Sequence, residues 1–208
     1  MFVHLKTKTI YSLLEGAIFA KALADQCCKF KMPAVGIADR ANLFGALEFS
    51  EVLSDNGIQP IIGCQLPMSF KEADLKKLRA TDRISMLFLA KNELGYRNLM
   101  ELSSKFFLNE TYRFEGMSIR EIDKFSDGLI CLSGGDESPI NNLLKDNKIK
   151  EAENLLLHFK RTFGDRFYLE MNRHPLGENY SNKVNVEDNI LNLADEQRLP
   201  LVATNDVY

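Results

Sequence analysis

The first segment of the sequence carries cationic side chains at a spacing that would suit a metal site if their chemistry were different. His4, Lys6 and Lys8 alternate along the segment, and in a β-strand they would share one face because side chains alternate with period two. A histidine pair at this spacing could bind a metal from the end of a strand. A lysine ammonium cannot, since it has no lone pair to donate. The pattern therefore predicts positive charge, rather than metal coordination, at Lys6 and Lys8.

Polar side chains also lie at or just beyond the ends of several apolar runs, the first one included. They are Glu15, Asp39, Arg40, Gln65, Glu170, Asn205 and Asp206. In β/α architectures the carboxyl ends of the strands meet at one end of the sheet, so these side chains are expected to converge. A single such acid could simply cap the next helix. The set as a whole predicts a cleft that is, or once was, functional.

The elements that must position this cleft are short apolar runs that alternate with helical patterns. The predicted strands are 2–7, 34–39, 59–66, 85–91, 129–133, 166–171 and 200–205. The predicted helices are 17–31, 42–56, 93–107, 118–124, 139–163 and 186–198. This alternation indicates an α/β fold with a mostly parallel sheet, either closed as a barrel or open and doubly wound.

Several helix boundaries are marked by residues that can satisfy the free N–H groups of a first helical turn. Asn42 and Asn92 are predicted N-caps. Ser118 with Glu121 three residues later matches a capping box, and Ser138 precedes a first-turn proline.

Composition limits the classes of function. The chain has 208 residues with 45% hydrophobic and 26% charged residues, which is ordinary for one globular domain. A net charge of −3 argues against a strongly basic nucleic-acid surface. No stretch approaches the roughly 20 apolar residues of a membrane span. The four cysteines lack C-x-x-C or zinc spacing, so we expect buried free thiols and a reducing, cytoplasmic setting.

Seven segments of the sequence carry a resemblance to a known family. They are FVHLKTKTIYSLLEGA, MPAVGIADRANLFGALEF, GIQPIIGCQL, FLAKNELGYRNLMELSS, GLICLSGG, FYLEMNRH and PLVATNDV. In order and spacing they resemble the N-terminal PHP (polymerase and histidinol phosphatase) domain of bacterial DNA polymerase III alpha subunits. The resemblance covers nearly the whole chain. It implies a distorted (β/α)7 barrel spanning residues 1–208, which would be the N-terminal fragment of a longer polymerase chain.

The resemblance also implies where a metal centre would lie. Metal-binding members hold two or three ions at the barrel mouth and use metal-activated water for phosphoester hydrolysis. In this sequence, the positions that match ligand motifs but carry a different residue type are Lys6, Lys8, Arg40, Gln65, Ser85, Gly135 and Tyr208. The acids retained in kind are Glu15, Asp39 and Asp206. We therefore expect a degenerate metal site with no catalytic residue.

Removal of metal ions would leave the retained acids uncompensated in a partly desolvated cleft. Our hypothesis is that Lys6, Lys8 and Arg40 supply the missing positive charge and form a metal-free polar plug. The alternative is that Lys6 and Lys8 point to solvent.

The leading functional expectation is a structural and subunit-interaction module for DNA replication, inactive by itself. The implied partners are the remaining polymerase domains of the same chain and the proofreading exonuclease subunit, with DNA bound through the parent protein. The implied cofactor is Mg²⁺ in the parent polymerase domain and none in this one. The first alternative is a metal-dependent phosphoesterase or 3′–5′ nuclease that uses the retained acids with His4 or His174. The second is a metal-free phosphate or pyrophosphate site that uses Lys6, Lys8 and Arg40.

Overall fold

The computed structural model of the protein describes residues 2–70, 84–172 and 180–208. The strands in these ranges are β1 (Ala34–Arg40), β2 (Gln59–Ser69), β3 (Ser85–Ala90), β4 (Met117–Ser118), β5 (Leu129–Leu132), β6 (Phe167–Met171) and β7 (Leu201–Ala203). The α-helices there are α1 (Ala20–Lys29), α2 (Ala46–Asp55), α3 (Glu93–Leu108), α4 (Glu110–Glu115), α5 (Ile119–Lys124), α6 (Pro139–Lys145), α7 (Ile149–Phe163) and α8 (Tyr180–Glu196). None of these helices combines the length and the apolar character that a membrane crossing requires.

The strands form one curled, mixed sheet in the order β1-β2-β3-β5-β6-β7, with β4 paired to β2. The pairs β1–β2, β5–β6 and β6–β7 are parallel, whereas β3 is antiparallel to both β2 and β5. The α/β class and the curled barrel-like sheet confirm the predicted fold class. The prediction of a mostly parallel sheet needs correction at β3, which runs antiparallel to its neighbours. This direction places the first residue of β3, Ser85, opposite Pro67 near the end of β2.

The predicted strand at 2–7 does not form as a regular strand. Thr7 instead makes single bridges to Ile37 on one side and to Val207 on the other. The Ala38 N–H donates to the Thr7 carbonyl at 2.8 Å, and the Lys8 N–H donates to the Val207 carbonyl at 2.8 Å. This segment therefore lies between β1 and the stretch after β7 and joins the two edges of the curled sheet. Each edge forms only a few hydrogen bonds with this segment, so the segment makes isolated bridges instead of a continuous strand.

Two apolar regions hold the sheet in place. A small inner cluster of Ala38, Leu87, Leu89 and Leu132 fills the concave side of the sheet. On the outer side, helices pack their apolar faces on the sheet, as α7 does with Leu156, Phe159 and Phe163. Five partly buried apolar side chains extend this cluster: Leu5, Ile61, Ile130, Tyr168 and Val202. Buried polar side chains, among them Gln65, Ser85 and Glu170, lie nearer the strand ends that form the mouth.

Side-chain caps define several helix ends as predicted. Asn92 accepts from the Gly95 N–H, Ser118 from the Glu121 N–H, and Ser138 from the N–H groups of the first turn of α6. Asn42 does not cap α2, which begins at Ala46 after Gly45. The helix predicted at 139–163 is divided into α6 and α7, because Asn147 adopts a left-handed conformation with φ 58°.

Candidate functional site

The candidate site lies at the mouth of the curled sheet, where the carboxyl ends of the parallel strands meet. β1 brings Arg40 to the mouth, β6 brings Glu170, and the stretch after β7 brings Asp206. Because β3 runs in the opposite direction, its first residue, Ser85, reaches the same place. Two loops complete the mouth: residues 9–16 carry Glu15, and residues 133–138 carry Gly135 and Glu137.

Lys6 lies at the centre of this site, with only 3% of its surface exposed. Its ammonium group is 3.2 Å from Glu170 Oε1 and 3.0 Å from Asp206 Oδ1, and it donates to the Gly134 carbonyl at 3.4 Å. Burial alone lowers the pKa of Lys6, but the charges of the two carboxylates and their hydrogen bonds outweigh it, so the pKa is raised. Lys6 therefore remains an ammonium ion at neutral pH.

Glu170 is held by the protein from three directions. Besides Lys6, it accepts from the Thr204 hydroxyl at 2.6 Å and from the Gly134 N–H at 3.1 Å. Gly135 gives the carboxylate room, because a Cβ at this position would lie 3.0 Å from Glu170 Oε1, and its φ of +59° also favours glycine. A side chain at position 135 would therefore compete with Glu170 for this space.

A second group of charges surrounds Glu15. Lys8, which is also buried, donates to Glu15 Oε2 at 2.8 Å, and its ammonium lies 4.9 Å from the centre of the Tyr208 ring. Arg40 reaches Glu15 Oε1 at 3.7 Å and Glu137 Oε2 at 3.4 Å. Lys6 and Lys8 thus do not point to solvent.

Glu137 links this second group to β3, because it accepts from the Ser85 hydroxyl at 2.5 Å. Tyr208 stands at the outer side, and burial together with the nearby Asp206 charge raises its pKa, so the phenol stays neutral. Gln65 is buried at the end of β2, and neither atom of its amide has a hydrogen-bond partner among the described residues. An amide at position 65 avoids one more carboxylate in a site that already has four.

Asp39 differs from the hypothesis, because its partners are not cations. Its Oδ1 accepts from the Thr9 N–H at 2.7 Å and from the Ser12 hydroxyl at 2.6 Å, while its Oδ2 accepts from the Thr9 hydroxyl at 2.7 Å. The carboxylate is buried and satisfied by three short hydrogen bonds. Asp39 therefore fixes the start of the 9–16 loop and leaves Lys6, Lys8 and Arg40 to pair with other acids.

Sequence reasoning missed part of the network. Glu137 was not predicted, although it supplies a partner for both Arg40 and Ser85. It lies in a short 3₁₀ turn, Gly135–Glu137, shortly after β5, so its position beyond a strand end was the available signal. Glu170 was noticed only as one acid late in a strand. Asn172, which donates to Asp206 Oδ2 at 3.1 Å, directly follows the predicted strand that carries Glu170, so its position at a strand end was the available signal.

The histidines contribute little to the described site. His4 is partly buried, burial lowers its pKa, and its Nδ1 has no hydrogen-bond partner among the described residues. His158 lies on α7, where its Nε2 is 3.0 Å from Asp123 Oδ1. His174 lies outside the described residues. In the described part of the chain, no group of three or more His, Cys, Asp or Glu side chains is arranged to hold a metal ion.

The cysteines do not form a reactive site either. Cys27, Cys64 and Cys131 are buried free thiols, as expected, whereas Cys28 is exposed. Burial raises the pKa of Cys64 and Cys131 well above the ordinary value, so these thiols are protonated at neutral pH.

Comparison with known proteins identifies the family to which this chain belongs. A model of the PHP domain matches residues 4–174, and the chain belongs to the PHP domain family. The chain is 44% identical over 208 residues to the DNA polymerase III subunit alpha of Caulobacter vibrioides and 35% identical over 209 residues to that of Borreliella burgdorferi. All of this chain aligns in both cases, and it spans 18% of the length of each relative.

Solved structures support the fold. One similar structure is a putative metal-dependent phosphoesterase from Bifidobacterium adolescentis, with a TM-score of 0.57 and 12% identity, covering 99% of this chain and 87% of the other. Another is an amidohydrolase from Chromobacterium violaceum, solved with bound sulfate and no metal, with a TM-score of 0.59 and 11% identity, again covering 99% and 87%. At these identities the likeness concerns the fold only.

Proposed function

We propose that this chain is the PHP domain of a bacterial replicative DNA polymerase III alpha subunit, occupying residues 1–208 of a longer polypeptide. Its barrel mouth is closed by ion pairs instead of metal ions, and the domain acts as a structural and subunit-interaction module in DNA replication. The observation that carries the proposal is the Lys6 ammonium, placed 3.2 Å from Glu170 and 3.0 Å from Asp206.

The chemistry of the side chains at the mouth does not fit a cluster of metal ions. A cluster needs several neutral imidazoles and carboxylates that converge on one point. Here the carboxylates of Glu170, Asp206 and Glu15 face the cations of Lys6 and Lys8. A divalent ion would have to displace an ammonium group and leave it buried without a counter-charge, which is strongly unfavourable.

The same pairs weigh against a site for phosphate or pyrophosphate. Lys6, Lys8 and Arg40 are each within ion-pair distance of at least one carboxylate. Three cations therefore face four carboxylates, so an incoming anion would compete with groups that the fold already holds in place. This arrangement favours the structural role over both alternative functions.

The wider setting follows from the relatives and forms part of the proposal. The parent protein would be a DNA-directed DNA polymerase in the cytoplasm, with Mg²⁺ and DNA bound by its polymerase domains. The partners of this domain would be those remaining domains and the proofreading exonuclease subunit. Support comes from the family match and from the relatives, which are polymerase subunits of which this chain spans 18%.

The first test is metal content combined with thermal unfolding. We expect the purified protein to contain far less than one equivalent of zinc or manganese, and its Tm to be unchanged by EDTA. EDTA already saturated with calcium is the matched control for effects of the chelator itself. Stoichiometric metal, lost to EDTA with a fall in Tm, would overturn the proposal and revive the phosphoesterase.

The second measurement concerns anions. We expect the Tm in millimolar pyrophosphate to be no higher than the Tm in sodium sulfate of equal ionic strength. A specific rise with pyrophosphate that disappears in Arg40→Gln would instead support the phosphate site.

A further inference from the structure

A three-residue turn at the barrel mouth, residues 13–15, combines two exposed leucines with one mostly buried glutamate. It is here called the lid. Leu13 exposes 84% of its surface, and Leu14 is fully exposed. The Glu15 side chain turns inward and accepts from the Lys8 ammonium at 2.8 Å. Since hydrophobic stabilisation scales with the apolar area removed from water, the two leucines contribute little to keeping the lid closed.

The chain is anchored on both sides of the lid. Before it, the Asp39 carboxylate accepts from the Thr9 N–H at 2.7 Å and from the Ser12 hydroxyl at 2.6 Å. After it, Gly16 packs on the chain that precedes the lid, because a Cβ at this position would lie 2.1 Å from the Thr9 carbonyl oxygen. A movement at this place is therefore confined to the three residues between the anchors.

The backbone of Leu14 is strained while the lid is closed. Its φ is +65°, a left-handed conformation that costs free energy for a residue with a side chain, and Leu13 does not share this conformation. The Glu15 and Gly16 N–H groups donate to the Ser12 carbonyl at 2.9 and 2.8 Å, and this tight turn holds the conformation. Opening of the turn would release the strain.

Beside the lid lies an amide without hydrogen bonds. Gln65 pairs with Leu87 of the inner cluster and with Arg40 on β1, so its side chain faces the concave side next to Arg40. The Arg40 side chain in turn lies 3.7 Å from the Glu15 carboxylate of the lid. Gln65 is 1% exposed, and neither atom of its amide has a partner among the described residues. A buried amide without hydrogen bonds costs free energy that is recovered when water reaches it.

We propose that residues 13–15 open and close over the barrel mouth, and that opening gives water and small solutes access to Gln65. Opening separates Glu15 from Lys8, but it relieves the backbone strain at Leu14 and hydrates the amide of Gln65. Water also reaches the separated ammonium and carboxylate, so neither charge is left buried without a counter-charge. The lid is therefore a conformational device in which strain and an unpaired amide oppose one ion pair.

Opening of the lid leaves the other side of the mouth closed. Lys6 keeps its contacts with Glu170 and Asp206, neither of which belongs to the lid. The inference thus concerns access to one side of the mouth. It is independent of the metal content and the response to EDTA, which test the proposed function separately.

The test is thiol labelling with N-ethylmaleimide in the full-length polypeptide, with Gln65→Cys as the probe. Mass spectrometry of the peptide fragments measures the modification at each position. Cys64 is the internal control, because it is fully buried beside position 65 but packs in the core on the outer side of the sheet. Unfolding of β2 would label both positions, whereas opening of the lid labels only position 65. We therefore expect position 65 to react faster than Cys64.

Two glycine variants, which leave the charge unchanged, show whether the lid controls this access. Leu14→Gly should slow the labelling of position 65 about fivefold or more, because glycine adopts the positive φ of the closed turn without strain. Leu13→Gly is the matched control, since it removes a neighbouring exposed leucine without relieving strain, and it should not slow the labelling. Hydrogen exchange of the Glu15 N–H, measured in chains that retain Gln65, should follow the same order.

Two outcomes would overturn the inference. Labelling of position 65 and of Cys64 at the same rate would mean that access requires unfolding of the sheet rather than opening of the lid. Equal effects of Leu14→Gly and Leu13→Gly would mean that the strain at Leu14 does not govern access to the mouth.

Discussion

Replacing Lys6 with methionine removes the ammonium group that two buried carboxylates share while keeping a side chain of similar length. Glu170 would keep its hydrogen bonds from Thr204 and Gly134, and Asp206 would keep that from Asn172. Removing one partner of a buried ion pair costs about 3–5 kcal/mol, and these remaining hydrogen bonds place the expected cost near the lower limit. For a domain of this size, that corresponds to a fall in Tm of roughly 6–12 °C.

The assay is urea unfolding of wild type and Lys6→Met at neutral pH, followed by circular dichroism. Lys150→Met is the matched control, because Lys150 is exposed on α7 and its replacement should change the free energy of unfolding by less than about 0.5 kcal/mol. The double variant Lys6→Met with Glu170→Gln should recover part of the loss, since it removes one of the uncompensated charges. A Lys6→Met protein as stable as the control would refute the idea that this ammonium closes the mouth.

The pH dependence gives an independent check. The pKa of Lys6 is raised above 10.5 in the folded state, so its contribution is fully present below the pKa of the unfolded chain and is lost as the pH rises through the folded pKa. The difference in stability between wild type and Lys6→Met should be constant between about pH 7 and pH 9 and should shrink above about pH 10.5. A difference that grows with rising pH would contradict the assigned pairing.

Two further predictions concern neighbouring contacts. Asp39→Asn should lower the free energy of unfolding by about 1–3 kcal/mol, because the amide nitrogen would face at least one donor from Thr9 or Ser12; unchanged urea unfolding would argue against this anchoring role. Gly95→Ala should cost about 1–3 kcal/mol, because the new Cβ would overlap the backbone carbonyl of the turn before β5. Ser104→Ala, at an exposed position of the same helix, is its control, and equal thermal unfolding of the two variants would show that the turn moves aside without cost.

Local sequence signals predicted much of the fold correctly. The apolar runs of β1, β2, β3, β5 and β6 and the caps at Asn92, Ser118 and Ser138 depend on neighbouring residues, whose effect on the backbone is direct. The first segment was wrong as a regular strand, because its pairing depends on two distant edges that each offer few hydrogen bonds. The direction of β3 was also missed, since strand periodicity is the same in parallel and antiparallel sheets.

The candidate site divides in the same way. The residue types at positions 6, 8 and 40 already indicated positive charge in place of imidazole ligands, because a side chain's capacity to coordinate a metal is a property of the residue itself. The ion pairs could not be predicted from the sequence, because Lys6 and Glu170 are 164 positions apart and Arg40 and Glu137 are 97 positions apart. Charge alone predicted that a cation would pair with Asp39. Its carboxylate instead accepts hydrogen bonds from the Thr9 backbone N–H and from the Thr9 and Ser12 hydroxyls.

The sequence alone thus determined the chemical inventory of this protein: seven apolar runs, helices with their caps, lysines where ligands were expected, and a set of acids. Only the tertiary structure decided which acid neutralises which cation, and that Leu13, Leu14 and Phe107 face outward instead of joining the core. The physical reason is that ion pairing and burial depend on distances across the fold. Those distances are set by the curvature and strand order of the whole sheet rather than by any one segment.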